Sequence, residues 1–278
     1  MMEEWKMIID FHTHIYPDLI AARTIKLLEE SGNIKAYTLG NLADLKRSMK
    51  ENWIDISVVL PVATKPSQFE TINSFAAQIN NRDGILSFGG LHPDTENYRE
   101  ELDKIKQLGL LGIKLHPDYQ KTYIDDPKMI RIIQYATELG LMVTIHGGLD
   151  IGLPNPIHCT PERAANMLGE IHNPKAKIIL AHMGGYALWD EVEKHIIGKK
   201  VYLDTSYSLG MMEDEQFVRM VQNHGADRVL FATDSPWADQ GETFKHLRKL
   251  EFTEEEFAYI LYKNALKLLG MEETKETD

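Results

Sequence analysis

Eight short apolar runs recur along the chain, each followed by a stretch of helical periodicity, and this alternation restricts the fold more than any other feature. The runs are MIID (7–10), ISVVLPV (56–62), ILSFGGL (85–91), LLGIKL (110–115), LMVTI (141–145), KIILA (177–181), VYLDTS (201–206) and VLFAT (229–233). Most are continuous rather than alternating in polarity, the pattern of strands covered on both faces of a parallel sheet. Between them lie amphipathic segments such as NYREELDKIKQLG (97–109), KMIRIIQYATELG (128–140) and DEQFVRMVQNHG (214–225). Gly109, Gly140 and Gly225 close these segments just ahead of the next strand, where a left-handed helix cap favours glycine. Thr160 before Pro161, and Thr253 three residues before Glu256, mark two further helix starts. Eight strand–helix units in 278 residues predict an α/β fold, a (β/α)₈ barrel forming one domain over 1–278. An open doubly wound sheet is the alternative, but no glycine-rich phosphate loop follows the first strand. Residues 15–40 exceed a simple connection. They predict an extra helix (DLIAARTIKLLEES) in the first βα connection, over the barrel mouth, whereas MEETKETD after Gly270 is expected to fray.

The histidines gather where such a barrel does its chemistry. Strand one runs into DFHTH, and alternate strand residues share a face, so Asp10, His12 and His14 project together. Strand three ends in His92, strand four in His116, strand five in His146 and strand six in His182, while strand eight ends in Asp234. Six of the eleven histidines thus fall at the C-terminal rim, and barrel closure converges residues scattered in sequence. Imidazoles with a carboxylate and no thiolate suit a divalent transition metal: zinc is expected, with manganese or iron(II) compatible. Calcium or magnesium would ask for a cluster of oxygen ligands.

Composition removes other classes. A formal net charge of −12 argues against nucleic acid or an anionic membrane as partner. No apolar run approaches membrane-spanning length, and MMEEWK does not read as a signal peptide. Cys159 is the only cysteine, which excludes an internal disulfide and a thiolate metal site. These features predict a cytoplasmic protein acting on a small molecule.

Taken together, DFHTH, GIKLHP, TIHGG, LAHMGG, FATDSPW and the closing NALKLLG resemble the amidohydrolase superfamily, more specifically its aminocarboxymuconate-semialdehyde-decarboxylase-like branch (amidohydrolase-2). The resemblance spans nearly the whole chain. It implies a distorted TIM barrel with a metal held by His12, His14, His146 and Asp234, and His182 as the catalytic histidine beside it. Barrels of this group often form homodimers. TatD-like nucleases share H-x-H and a late T-D-x-P, but their glutamate-bearing G-E-[IT]-G-L-D stretch is replaced here by LLGIKLHP. Binuclear amidohydrolases carry a carboxylated lysine after strand four, where Lys114 stands; the following LHP is the form of the mononuclear branch.

The resemblance points first to a metal-dependent hydrolase of small esters, lactones or amides, with Asp234 as ligand and proton shuttle and His182 assisting the attacking water. The alternative is a lyase: non-oxidative decarboxylation or hydration of a small carboxylic acid. Lys114 or His116 is expected to bind an anionic substrate group, with Arg23 and His158 as further substrate contacts. Tyr16, Asp150 and Trp237 are weaker pocket candidates, Asp204 a supporting partner or a satisfied strand residue, and Cys159 structural.

Overall fold

The computed structural model describes residues 6–153 and 155–271. Its strands are β1 (Ile9–Thr13), β2 (Ile56–Val59), β3 (Ile85–Ser87), β4 (Gly89–Gly90), β5 (Gly112–Leu115), β6 (Met142–Ile145), β7 (Ile178–Leu180), β8 (Tyr202–Asp204) and β9 (Val229–Leu230). All pair in parallel and in sequence order, as β1-β2-β3 and β4-β5-β6-β7-β8-β9. Strands β3 and β4 are two halves of one barrel stave interrupted at Phe88. Its first half pairs with β2, extended by Phe88 N–H donating to the Val59 carbonyl at 3.0 Å, and its second half pairs with β5. Eight staves therefore stand where the eight apolar runs predict them.

The ring closes between β1 and the segment after β9. Phe11 N–H donates to the Phe231 carbonyl (2.9 Å), Asp234 N–H to the His12 carbonyl (2.9 Å) and His14 N–H to the Ser235 carbonyl (2.6 Å). The buried Asp10 carboxylate reinforces this seam by accepting from Thr233 N–H (2.9 Å), Thr233 Oγ1 (2.6 Å) and Gln240 Nε2 (2.8 Å). Asp10 thus ties the mouth shut instead of facing the cavity. Short strands, the broken third stave and a register shift between Asp10 and Thr13 account for the expected distortion.

The helices follow the predicted alternation. They are α1 (Asp18–Gly32), α2 (Leu42–Glu51), α3 (Phe69–Ile79), α4 (Tyr98–Gln107), α5 (Pro127–Glu138), α6 (Pro161–Glu170), α7 (Trp189–His195), α8 (Asp214–His224), α9 (Gln240–Leu247), α10 (Glu254–Ala258) and α11 (Asn264–Leu269). The first connection holds the extra helix, α1, ahead of α2. Thr160 Oγ1 caps α6 by accepting from Arg163 N–H, and Thr253 with Glu256 forms the reciprocal box at α10. Gly109, Gly140 and Gly225 carry φ of 74°, 79° and 101°, as their turns demand. Asn264 opens α11 and donates to the Ala226 and Val229 carbonyls (2.7 and 2.8 Å), pinning the last helix to β9. One continuous core, from Ile8 to Leu268, joins the strand faces to the inner helix faces. No helix among the described residues is long and apolar enough to cross a membrane. Most of the tail after Gly270 lies outside the described residues, as does MMEEW.

Candidate active site

The strand ends open into a cavity of about 530 Å³. Five of the six rim histidines line it: His12, His14, His116, His146 and His182. His92 is turned aside, its Nδ1 accepting from Asp94 N–H at 3.2 Å. Lys114, Asp150, Asp234, Tyr16 and Trp237 also line the cavity.

His12 Nε2, His14 Nε2 and Asp234 Oδ1 face one another at the centre. The two nitrogens are 3.1 Å apart, and the carboxylate oxygen lies 3.3 and 3.1 Å from them. The opposite ring nitrogens explain why. His12 Nδ1 meets the Asp204 carboxylate at 2.9 Å, and His14 Nδ1 meets the Leu60 carbonyl at 2.8 Å. Both partners only accept, so both Nδ1 atoms carry hydrogen and each ring turns its other nitrogen, Nε2, inward as the atom free to bind a metal. Burial, and after it the Lys114 ammonium, holds His12 well below its usual value, hence neutral. Burial pushes the Asp234 carboxyl up, but the imidazoles of His12, His14 and His182 more than reverse this, so it is ionised. Two lone pairs and a carboxylate oxygen cannot satisfy one another. They ask for a cation.

The spacing fits a metal ion. A tetrahedral ion with bonds of roughly 2.0–2.1 Å separates its ligand atoms by about 3.3–3.4 Å, close to the separations of this trio. Lys114 is the cation nearest at hand: it is buried, with Nζ 3.1 Å from His12 Nε2. Burial lowers its pKa to about 8 against the pull of Asp204 and Asp234, which leaves it mostly protonated at neutral pH.

The glycine motifs at the ends of β6 and β7 set the second half of the site. TIHGG and LAHMGG pack backbone to backbone: Gly148 pairs with Tyr186, and a Cβ on Gly148 would lie 2.2 Å from Tyr186 N. This apposition sets His182 Nε2 3.0 Å from His146 Nδ1. His182 Nδ1 faces the Ser206 carbonyl at 3.0 Å, so in the neutral ring its Nε2 accepts from His146 Nδ1–H. His146 Nε2 is left buried with no partner. Burial keeps His146 and His116 neutral, and their rings stack at 4.0 Å with a 12° interplanar angle. His116 Nε2 in turn lies 3.2 Å from Asp150 Oδ2. His146 therefore groups with His116 and Asp150, adjoining the trio rather than joining it.

Two expected substrate contacts lie elsewhere. Arg23 is exposed on α1, whose cavity face is Ile20, Thr24 and Leu28, one helical step apart. His158 pairs with Asp118 at 3.0 Å, outside the cavity lining. Cys159 is wholly buried and its thiol is pushed up by burial, consistent with packing. Asp204 is more central than strand pattern alone suggests. Besides His12, it accepts from His182 N–H (3.0 Å), Ser206 N–H (3.1 Å) and the Ser206 hydroxyl, tying His12 and His182 to one buried carboxylate. Asp234 and His182 sit at φ of 71° and 59°, left-handed positions that few non-glycine residues adopt and that concentrate at functional sites. Ser206, Tyr119, Tyr186 and Tyr207 were not foreseen. Ser206 adjoins Asp204 in DTS, but tyrosines in loops carry no periodic signal.

A family profile described as Amidohydrolase matches residues 9–271. The chain belongs to the amidohydrolase family. Among curated proteins none matches significantly. Solved structures similar to this amidohydrolase include an uncharacterised TIM-barrel protein from Bordetella bronchiseptica (17% identity, TM-score 0.74, 95% of this chain and 98% of that one). Others are 5-carboxyvanillate decarboxylase from Sphingomonas paucimobilis (15%, 0.67, 96% and 100%) and a dihydroxybenzoic acid decarboxylase from Polaromonas with bound manganese and 2-nitroresorcinol (16%, 0.70, 95% and 97%). These neighbours share the amidohydrolase TIM barrel. Family membership and the inward-facing ligand trio make the chain a metal-dependent enzyme.

Asp204→Asn tests the support beneath the trio. The amide keeps an oxygen but can turn its NH₂ towards His12 Nδ1, which disturbs the ring orientation. Metal affinity is expected to fall about 10- to 100-fold, read by competition with a chelating dye. Unchanged affinity would reduce Asp204 to a strand residue.

Proposed function

We propose that this amidohydrolase is a metal-dependent, non-oxidative decarboxylase of a small carboxylic acid, in preference to the expected ester, lactone or amide hydrolase. The observation that carries this reading is Lys114: a buried ammonium 3.1 Å from His12 Nε2, beside the trio that would hold the ion and placed to meet a substrate carboxylate. The decarboxylase titles of structural neighbours that cover nearly the whole chain support it.

His12, His14 and Asp234 are the proposed ligands of one divalent transition ion. His146, whose Nε2 is unpartnered, is the proposed fourth donor. Zinc remains compatible with these ligands, while manganese is the ion named with two of the decarboxylase neighbours. When bound, the ion supplies Lewis-acid polarisation and charge neutralisation. Lys114 draws in the substrate carboxylate and holds it against the ligand cluster. His182, fixed at Nδ1 by the Ser206 carbonyl, exchanges a proton through Nε2 once that nitrogen releases the His146 Nδ1–H it accepts in this structure. Asp234, whose Oδ1 faces the two imidazoles, offers Oδ2 as the second proton carrier. A proton delivered to the substrate carbon replaces the carboxylate: the C–C bond breaks, its electron pair stays with the carbon, and CO₂ leaves.

Product assays on hydroxybenzoates and muconate-type acids, run beside lactones, esters and amides, test the proposal. CO₂ release from an acid supports it, and metal-dependent turnover confined to the esters, lactones or amides refutes it. Lys114→Met should raise KM for the anionic substrate roughly ten- to a hundredfold, the loss of about 1.5–3 kcal/mol from a charge-assisted contact, with metal content retained. An unchanged KM would return Lys114 to a structural role.

A further inference from the structure

The cavity is asymmetric. At the strand ends it carries the ligand trio, Lys114, His116 and Asp150; its other walls are mainly apolar, interspersed with neutral polar side chains such as Thr24, Ser31, Gln68 and Thr71. Helix α1 contributes Ile20 and Leu28, α3 contributes Ile72 and Phe75, and the loop after β6 contributes Leu149 and Ile151. The adjoining face of α3, with Phe69, Asn73, Ala76 and Ile79, is buried against the barrel, and Ile72 and Phe75 lie along its edge. Ile20 and Ile151 are 49% and 38% exposed at the rim, apolar surface that a ligand would cover. Among the described lining residues Lys114 is the only lysine or arginine, while Asp150 and Asp234 are both acids. One anionic group therefore has a cation to meet. A second would face apolar wall, neutral hydroxyls or the Asp150 carboxylate, with no second cationic side chain to offset its desolvation. A cavity of about 530 Å³ also has more room than a single carboxylated ring needs, in the range that holds drug-sized ligands.

We infer that the substrate is a monocarboxylate whose body carries an apolar extension, seated between α1 and α3, and not a di- or tricarboxylate. This rests on the decarboxylase reading for the end that reacts, but the extension is argued from the walls alone. Each methylene buried there should tighten binding about fourfold.

Calorimetric titration of the purified protein with benzoate, a 4-alkylbenzoate series from methyl to hexyl, and terephthalate tests this without requiring turnover. The expected result is a Kd falling about fourfold per methylene over the first few carbons, with terephthalate weaker than the near-isosteric 4-methylbenzoate. Leu28→Ser and Phe75→Ser should each flatten the dependence on chain length. A Kd independent of chain length, terephthalate binding as tightly as 4-methylbenzoate, or no binding by any of these acids would overturn the inference. The wild-type series decides the matter even if a variant fails to fold. Failure of the decarboxylase reading would show separately, as absent CO₂ release with the affinity series intact.

Discussion

Replacing His12 and His14 together by alanine is expected to leave the protein without its metal and without measurable turnover. Each ring contributes one inward Nε2, and the pair removes two of the three donors that meet at the centre. Asp234 and His146, the proposed fourth donor, leave at most two ligands, too few to hold a transition ion against solvent. Activity should fall to background, since the chemistry depends on a charge that is no longer there. The fold should survive, because the seam beside the two residues runs through the backbone of residues 11–14 and through Asp10, which the substitutions leave in place. Elemental analysis with circular dichroism on the same preparation checks this. Full metal occupancy in a folded double variant would move the site elsewhere.

The second large effect separates His182 from Asp234. His182 faces His146 and Ser206, so it acts beside the ligand trio. His182→Asn should keep most of the metal and lower kcat by about 10²–10⁴, the usual contribution of a positioned proton carrier. Asp234→Asn keeps the shape and one oxygen, but it removes the charge that two neutral imidazoles face. Metal binding should weaken and turnover collapse together. Metal content and kcat measured side by side give the answer. Loss of metal in His182→Asn, with Asp234→Asn nearly as active as the parent, would reverse the two roles.

Much of this site is legible in the sequence because barrel closure turns strand ends into neighbours. His12, His14, His116, His146, His182, Lys114 and Asp234 each follow a recognisable apolar run, so their meeting at one cavity needs only the strand count and the parallel order. What stays hidden depends on rotation and on local partners. Arg23 follows the first motif closely, but α1 turns Ile20, Thr24 and Leu28 inward and leaves Arg23 in solvent. His158 lies in a glycine- and proline-rich loop with no period to orient it, and Asp118, forty residues away, captures it. His146 pairs with His182 and stacks on His116 through the apposition of two glycine turns, a contact that neither motif announces alone. Asp204 reads in the sequence as either a supporting partner or a satisfied strand residue, and only its two oxygens, serving His12 and His182, decide for the first. The break at Phe88 is likewise invisible in ILSFGGL, an unbroken apolar run.

The choice between hydrolysis and decarboxylation lies a level further down. The same ligands serve both, so motif spacing cannot separate them. The buried ammonium of Lys114 next to His12 favours the proposed decarboxylation, and it does so through a depth and a distance that no motif carries.

Anomalous diffraction from crystals grown with manganese tests the central claim most directly, that His12, His14 and Asp234 form a metal centre. The account predicts one strong manganese peak per chain, lying between His12 Nε2, His14 Nε2 and Asp234 Oδ1, with Lys114 Nζ displaced from its contact with His12. A peak held instead by His116, His146 and Asp150, or no ordered peak at the trio under saturating manganese, would contradict it.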